Sequence, residues 1–159
     1  MATGALITPE KYLSTYFERE PEYVHGELVE RSLPTFSHGK LQIRLGALLL
    51  RIGISCAEVR MRLAEDLYRI PDIAVFEHVP KEEVPTSPPL LIVEINSPDD
   101  RLHDVEQKLE EYRAWGVAHI WFVEPELKKL YTYERGLVNV QQLELPQFNL
   151  TITAADLFA

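Results

Sequence analysis

The chain has 159 residues, of which 46% are hydrophobic and 26% charged, and its formal net charge is −9. This length suits one domain with its own core, and the composition is that of an ordinary globular protein. The acidic balance argues against a protein that holds nucleic acid by charge alone, because lysine and arginine supply most non-specific affinity for phosphates. It does not exclude a metal-dependent nuclease, since bound cations can meet the phosphate. We therefore expect a single domain over residues 1–159.

Membrane and secretion signals are not visible in the sequence. No apolar run approaches the roughly 18 residues that cross a bilayer, and the best candidate, 45–50, is stopped by Arg51. Residues 1–5 lack the basic start and the apolar stretch of a signal peptide. The single cysteine, Cys56, cannot form an internal disulfide, which fits a reducing compartment. We expect a cytoplasmic protein without a membrane partner.

The first half of the chain carries clear start and turn signals. Thr8 and Pro9 are a typical cap and first residue of a helix. His25-Gly26 lies between two short apolar segments and predicts a hairpin turn. The elements predicted here are a helix (9–18), a hairpin (23–30), a second helix (37–52) and strands at 54–63, 67–70 and 72–76.

The second half alternates strands and helices. Four prolines between residues 80 and 89 predict a loop, and Gly116 is a common helix stop. The predicted elements are a strand (90–96), a helix (101–115), strands at 118–123, 129–133 and 137–143, and a terminal helix (153–158). This order predicts an α/β fold with a mixed sheet.

A glutamate inside an apolar strand is the most informative feature of the sequence. Residues 90–96 are apolar at both alternating positions up to Glu94, which predicts a strand buried on both faces. An unpaired carboxylate in such a strand would be costly to desolvate, so Glu94 requires a partner. That partner could be a metal ion, a lysine or an arginine, or the glutamate could be protonated.

Two other side chains can reach this glutamate. If the strand that Asp72 opens pairs with the buried strand, Asp72 and Glu94 meet on one face. Together with the carbonyl of Ile95 they would form an oxygen-rich site for Mg²⁺ or Mn²⁺. Lys108 lies inside the apolar arc of the following helix and therefore points toward the sheet. There it could orient the attacking water or stabilise negative charge on a phosphoryl group.

Each of these residues also has a purely structural interpretation. Asp72 follows a proline and could be a strand-entry residue. Glu94 and Lys108 could form a buried ion pair without catalysis, or Lys108 could extend its amine to solvent. His38 could be a capping or half-buried histidine, and Glu27, beside a tight turn, could be solvated. The three residues Asp72, Glu94 and Lys108 together are much less expected by chance than any one of them.

The pattern as a whole resembles a known family. The segments on which the resemblance rests are Gly26-Glu27-Leu28-Val29-Glu30, Ser37-His38, Pro71-Asp72, Glu94-Ile95-Asn96-Ser97-Pro98, Lys108, Tyr112 and Gly116-Val117. They resemble the Uma-type branch of the PD-(D/E)XK nuclease superfamily over nearly the whole chain. This resemblance implies a restriction-endonuclease-like core, in which a central mixed β-sheet is flanked by helices. It also implies that Asp72 and Glu94 are metal ligands and that Glu27 contacts the metal through water.

Two positions depart from the pattern of these nucleases. The superfamily usually has a lysine two residues after the glutamate, and this chain has Asn96 there, which cannot supply a positive charge. Lys108 matches the place to which the Uma-type branch moves that lysine. In the hairpin, His25 stands where the family often has aspartate.

Two functions follow as hypotheses. The first is a Mg²⁺- or Mn²⁺-dependent endonuclease that hydrolyses phosphodiester bonds in DNA, with a basic rim around its site; the candidates for that rim are Arg60, Arg62, Arg69 and Arg101. The second is a catalytically inactive nuclease-fold protein that acts as an interaction or regulatory module, which the net charge favours. A weaker third reading is a structural protein in which Lys108 and Glu94 neutralise each other. By analogy with nucleases that cut two strands with two copies, a homodimer is also expected.

Overall fold

The computed structural model describes residues 5–159. Four α-helices, twelve strands and one short 3₁₀ helix follow each other along that part of the chain. They are α1 (Pro9–Ser14), β1 (Glu22–Val24), β2 (Glu27–Val29), α2 (Phe36–Leu49), β3 (Ile54–Ala57), β4 (Met61–Ala64), β5 (Leu67–Arg69), β6 (Ile73–Phe76), β7 (Leu91–Ile95), α3 (Leu102–Trp115), β8 (His119–Glu124), β9 (Lys129–Tyr133), β10 (Leu137–Val140), β11 (Gln142–Leu145), the 3₁₀ helix (Pro146–Phe148), β12 (Leu150–Thr153) and α4 (Ala154–Phe158).

A six-stranded mixed sheet is the centre of the fold. Its strand order is β10-β9-β8-β7-β6-β3, and a four-stranded sheet of order β2-β1-β5-β4 and the hairpin β11-β12 complete the architecture. Within the six-stranded sheet β7 and β8 are parallel, and the other neighbours are antiparallel. A parallel pair needs a crossover connection, and α3 provides it. The predicted α/β fold with a mixed sheet is therefore confirmed.

Both faces of the six-stranded sheet are covered. On one face α2, the β11-β12 hairpin and α4 pack around the buried residues Leu45, Val93 and Leu143. On the other face α3 packs Leu109 and Tyr112 against β6, β7 and β8. The strand β7 is buried along its whole length, as its apolar sequence predicts.

Turn and cap chemistry explains several boundaries. The β1-β2 hairpin turns at His25 and Gly26, whose φ angles of +50° and +93° are left-handed, the geometry of a tight two-residue turn. His25 also contacts Asp66 on the neighbouring hairpin, with Nδ1 2.9 Å from Oδ2. The helix α3 ends at Gly116, where φ is +112° and the amide donates back to the last turn.

Some predicted boundaries were wrong. The helix α1 ends at Ser14 rather than at residue 18, since Thr15 is already extended and its amide closes the last turn. The segment 54–63 forms two strands in different sheets, β3 and β4. The segment 137–143 likewise divides between β10 and β11, and β12, which pairs with β11, was not predicted.

The N-terminal residues 1–4, part of the segment in which no signal peptide is visible, lie outside the described residues. In the part of the chain that the structure describes, no helix combines the length and the apolar character that spanning a bilayer requires.

Candidate functional site

The antiparallel register of β6 and β7 brings the two predicted carboxylates together. Ile73 pairs with Val93, so Asp72, one residue before β6, falls opposite Glu94. Both are buried, and Asp72 is fixed by the backbone, because the Ile95 amide donates to its Oδ2 over 2.6 Å. The predicted pairing of these two acids on one face of the sheet agrees with this geometry.

Lys108 joins the two acids from α3, as its position on the helical wheel indicates. Its Nζ lies 3.1 Å from Glu94 Oε1. The same Nζ lies even closer, at 2.7 Å, to Oε1 of Glu22 on β1. The lysine therefore bridges a carboxylate of the six-stranded sheet and one of the four-stranded sheet.

Glu22 belongs to a chain of buried charges that sequence reasoning missed. Arg69 Nη1 donates to Glu22 Oε2 over 3.0 Å, and Arg69 Nε donates to Glu111 Oε2 over 2.7 Å. The Ile70 amide donates to Glu22 Oε1 over 2.9 Å. Glu22 and Arg69 lie on neighbouring antiparallel strands, β1 and β5. That pairing joins segments about 45 residues apart and leaves no local signal in the sequence.

Two further side chains hold the acids. The Tyr112 hydroxyl donates to Glu94 Oε1 over 2.7 Å. His38 Nε2 lies 3.1 Å from Asp72 Oδ1, and its Nδ1 is buried without a hydrogen-bond partner among the described residues. The histidine that could have been a capping residue thus contacts a site carboxylate, and the Gln42 amide adds a bond to the Asp72 carbonyl over 2.8 Å.

The two site acids differ in how tightly they hold a proton. Burial, together with the negative charges of Asp72 and Glu22, raises the pKa of Glu94 to about 8 against the opposing effect of Lys108. Burial also acts to raise the pKa of Asp72, but the hydrogen bond and charge of His38 outweigh it, so that pKa lies below its usual value. Asp72 is therefore the stronger acid of the two.

The cluster lines an open cavity of about 230 Å³. Eight acidic residues and five lysines and arginines line it: Glu22, Glu30, Glu58, Asp72, Glu94, Asp99, Asp100 and Asp104, against Arg19, Arg31, Arg69, Arg101 and Lys108. Of the four arginines predicted to form a basic rim, only Arg69 and Arg101 are in this lining. Arg60 pairs with Glu20, and Arg62 lies over the Tyr68 ring.

Comparisons with known proteins identify the family. The family model Uma2, described as "Putative restriction endonuclease", matches residues 9–159. The chain belongs to the Uma2 family. A search of curated proteins finds no match. The fold is similar to a crystal structure described as "a putative nuclease belonging to DUF820 from Anabaena variabilis ATCC 29413", with 23% identity and a TM-score of 0.83 over 96% of this chain and 97% of that one.

This membership confirms the resemblance seen in the sequence, and the structural match confirms the fold. The Uma2 chain is thus a member of a restriction-endonuclease-like nuclease family.

One expected residue of the Uma2 site, Glu27, is not at the cavity. Glu27 is exposed on the outer strand β2 and is not in the cavity lining. Glu22, on the neighbouring strand of the same hairpin, occupies the buried position instead. Asn96, which replaces the usual lysine of the superfamily, directs its side-chain amide to Glu124 Oε2 at 3.3 Å. The positive charge comes from Lys108.

The donor set of this Uma2 site suits a hard cation with few protein ligands. Among residues 5–159 no group of three or more histidine, cysteine or acidic side chains has the arrangement of a metal site. Asp72 and Glu94 lie side by side, and the described hydrogen bonds of Glu94 use only Oε1. Mg²⁺ commonly binds through one or two carboxylates and keeps several waters. Two carboxylates beside Ile95 in an open cavity fit that preference.

Proposed function

We propose that this Uma2 protein is a Mg²⁺- or Mn²⁺-dependent endonuclease that hydrolyses phosphodiester bonds in DNA. The observation that supports it most is the convergence of Asp72, Glu94 and Lys108 at one cavity, with the Lys108 ammonium 3.1 Å from Glu94. Membership of a nuclease family supports the same activity.

Each residue has a chemical role in this proposal. Asp72 and Glu94 would hold the cation, with the carbonyl of Ile95 as a further oxygen ligand. When bound, such a cation polarises a phosphoryl oxygen and lowers the pKa of bound water. Lys108 stabilises the negative charge that develops on the phosphate, where a positioned cation in a partly dry site acts strongly. The Ile95 amide and His38 keep the Asp72 carboxylate in one orientation.

The excess of acids around the cavity has a consequence for the substrate. Eight acids against five lysines and arginines repel a polyanion unless a cation neutralises part of that charge. Both the binding of DNA and its hydrolysis should therefore depend on divalent metal. The same excess favours the second candidate, an inactive nuclease-fold protein that serves as an interaction module.

The deciding experiment is cleavage of plasmid and of single-stranded DNA in Mg²⁺ or Mn²⁺, with EDTA as the metal-free arm. We expect cleavage with metal and none with EDTA. Asp72→Asn, Glu94→Gln and Lys108→Ala should each abolish it, and Glu106→Gln, on the exposed side of α3, should not. Retained cleavage in any of the three variants contradicts the assigned roles.

An intact fold with no metal-dependent cleavage of either DNA would instead support the interaction module. Light scattering on the same samples tests the proposed homodimer, since two copies would be needed to cut two strands at once.

A further inference from the structure

We infer that Glu22 is a positioning residue for Lys108. It holds the ammonium between two carboxylates, so that Lys108 does not pair with Glu94 alone and Glu94 stays open to a divalent cation. This inference rests on the proposed function, because it concerns the residues that would hold the cation and act beside it. Neither the family description nor the similar structure assigns a role to Glu22.

The distances show that Glu22 is the nearer of the two acids that contact the lysine. Lys108 Nζ lies 2.7 Å from Glu22 Oε1 and 3.1 Å from Glu94 Oε1. Glu22 is only 3% exposed, so water screens this attraction weakly. The ammonium position is therefore a balance between two buried acids on different sheets.

Glu22 itself is held from three sides. Its Oε2 accepts from Arg69, and its Oε1 accepts from the Ile70 amide as well as from Lys108. Arg69 is anchored in turn by Glu111 on α3. A carboxylate with this many donors cannot follow the lysine if the lysine moves. It is a fixed point from which Lys108 is held.

The charges explain what Glu22 would do for metal binding. Lys108 and a divalent cation both need the carboxylate of Glu94, and they exclude each other in part because they carry the same sign. With Glu22 neutralised, Glu94 is the remaining carboxyl within contact distance of Lys108, and the contact between them tightens. A cation then has to displace the lysine from Glu94, so its affinity should fall.

The test is a double-mutant cycle read by Mn²⁺ binding. Isothermal titration with Mn²⁺ alone is carried out on the full chain and on Glu22→Gln, Lys108→Met and the double variant. Glu106→Gln is the matched control, because it removes the same charge from the exposed side of the helix that carries Lys108. Circular dichroism verifies that each variant is folded.

We expect Glu22→Gln to weaken Mn²⁺ binding about tenfold or more, the usual effect of losing a residue that orients a ligand. Glu106→Gln should leave it unchanged. In the Lys108→Met background, removing Glu22 should have little further effect, because the lysine through which it acts is absent. At a sub-saturating Mn²⁺ concentration DNA cleavage should be slower in Glu22→Gln than in the native chain, and raising the Mn²⁺ concentration should restore it.

Three results would overturn the inference. Equal Mn²⁺ affinity in Glu22→Gln and Glu106→Gln means that Glu22 has no positioning role, while the proposed nuclease stands. An equal loss with and without Lys108 means that Glu22 acts on the cation directly. A native chain that binds no Mn²⁺ refutes both the inference and the proposed function. If Glu22→Gln does not fold, Glu22→Asp takes its place, because it keeps the charge near Arg69 and withdraws it from Lys108.

Discussion

Glu22 and Glu94 are the same residue type, are both buried and both contact Lys108 through Oε1, yet they hold protons in opposite ways. Burial raises the pKa of either carboxyl. For Glu22, however, Lys108 and Arg69 outweigh burial, and its pKa lies below the usual value. Glu94 has only one of these cations, Lys108, in contact, and it lies beside the negative charge of Asp72. Its pKa is therefore raised to about 8. The number of cations in contact, rather than the depth of burial, decides the charge of a buried acid.

This difference gives the two sheets different roles at the site. The four-stranded sheet supplies a carboxylate whose charge is already balanced, which makes it a fixed support. The six-stranded sheet supplies two adjacent carboxylates whose nearest lysine is shared with Glu22, which is the electrostatic reason to expect a metal there. The predictions below test this division.

The largest effect should come from removing the balanced acid. Glu22→Gln leaves Arg69 and Lys108 buried without their shared counter-charge, and we expect a loss of about 3 kcal/mol in the free energy of unfolding. Glu94→Gln should cost less than about 1 kcal/mol, because Lys108 keeps Glu22 as its counter-charge and the buried site loses one of its acids. Urea denaturation at pH 7 in EDTA measures both. Similar losses in the two variants would mean that the acids are equivalent.

The pH dependence of stability should separate the same two acids. Between pH 4.5 and about 8 folded Glu94 retains a proton that the unfolded chain has released, so the free energy of unfolding should fall as pH rises. The contribution of Glu22 to stability changes with pH in the opposite direction. It is present above the pKa that Glu22 has in the unfolded chain, and it is lost only as pH falls through the lower pKa that Glu22 has in the folded protein.

The groups that face Glu94 are Asp72, Glu22, Lys108 and Tyr112, and of these none is expected to titrate between pH 5 and 8. His38, whose pKa is raised by Asp72, gives a slope of the same sign as Glu94. The measurement is therefore the difference between native protein and Glu94→Gln in EDTA. A difference that does not change with pH would show that Glu94 is ionised throughout.

A smaller effect should come from the hydrogen bond that only Glu94 receives. Tyr112→Phe keeps the buried ring and removes the donor to Glu94 Oε1, and we expect a loss of about 1 kcal/mol in stability. Tyr133→Phe is the matched control, since its hydroxyl donates to Glu110, whose side chain is 44% exposed and can bind water instead. Thermal unfolding compares the two, and an equal shift would count against a special role of the buried bond.

The sequence was sufficient for residues whose signal is local. Glu94 stands out inside an apolar strand, and Lys108 stands out on the apolar arc of one helix. Asp72 could be placed opposite Glu94 because the alternation of two adjacent strands predicts which face each side chain takes. The same local signals predicted the helices α2 and α3 and the strands on either side of α3.

The missed residues depend on contacts between distant segments. Glu22 and Arg69 become partners only because β1 pairs with β5, and neither short segment contains a sequence signal that predicts this pairing. Glu22 lies one residue outside the hairpin predicted over residues 23–30, and the resemblance pointed to Glu27. A three-residue strand is too short for its alternation to indicate which acid faces inward. A buried network of opposite charges is a property of the assembled sheets.

The proline-rich loop between β6 and β7 has a practical consequence. This loop connects β6, the strand that follows Asp72, to β7, the strand that carries Glu94. It joins the ends of these strands that lie away from the two acids, at Phe76 and Leu91. At the spacing of an extended chain, Phe76 lies about 13 Å from Asp72 and Leu91 about 10 Å from Glu94. Sequence inserted at the exposed tip of this loop would leave the cavity untouched, which makes residues 81–83 a suitable place to attach a fluorophore or an affinity tag.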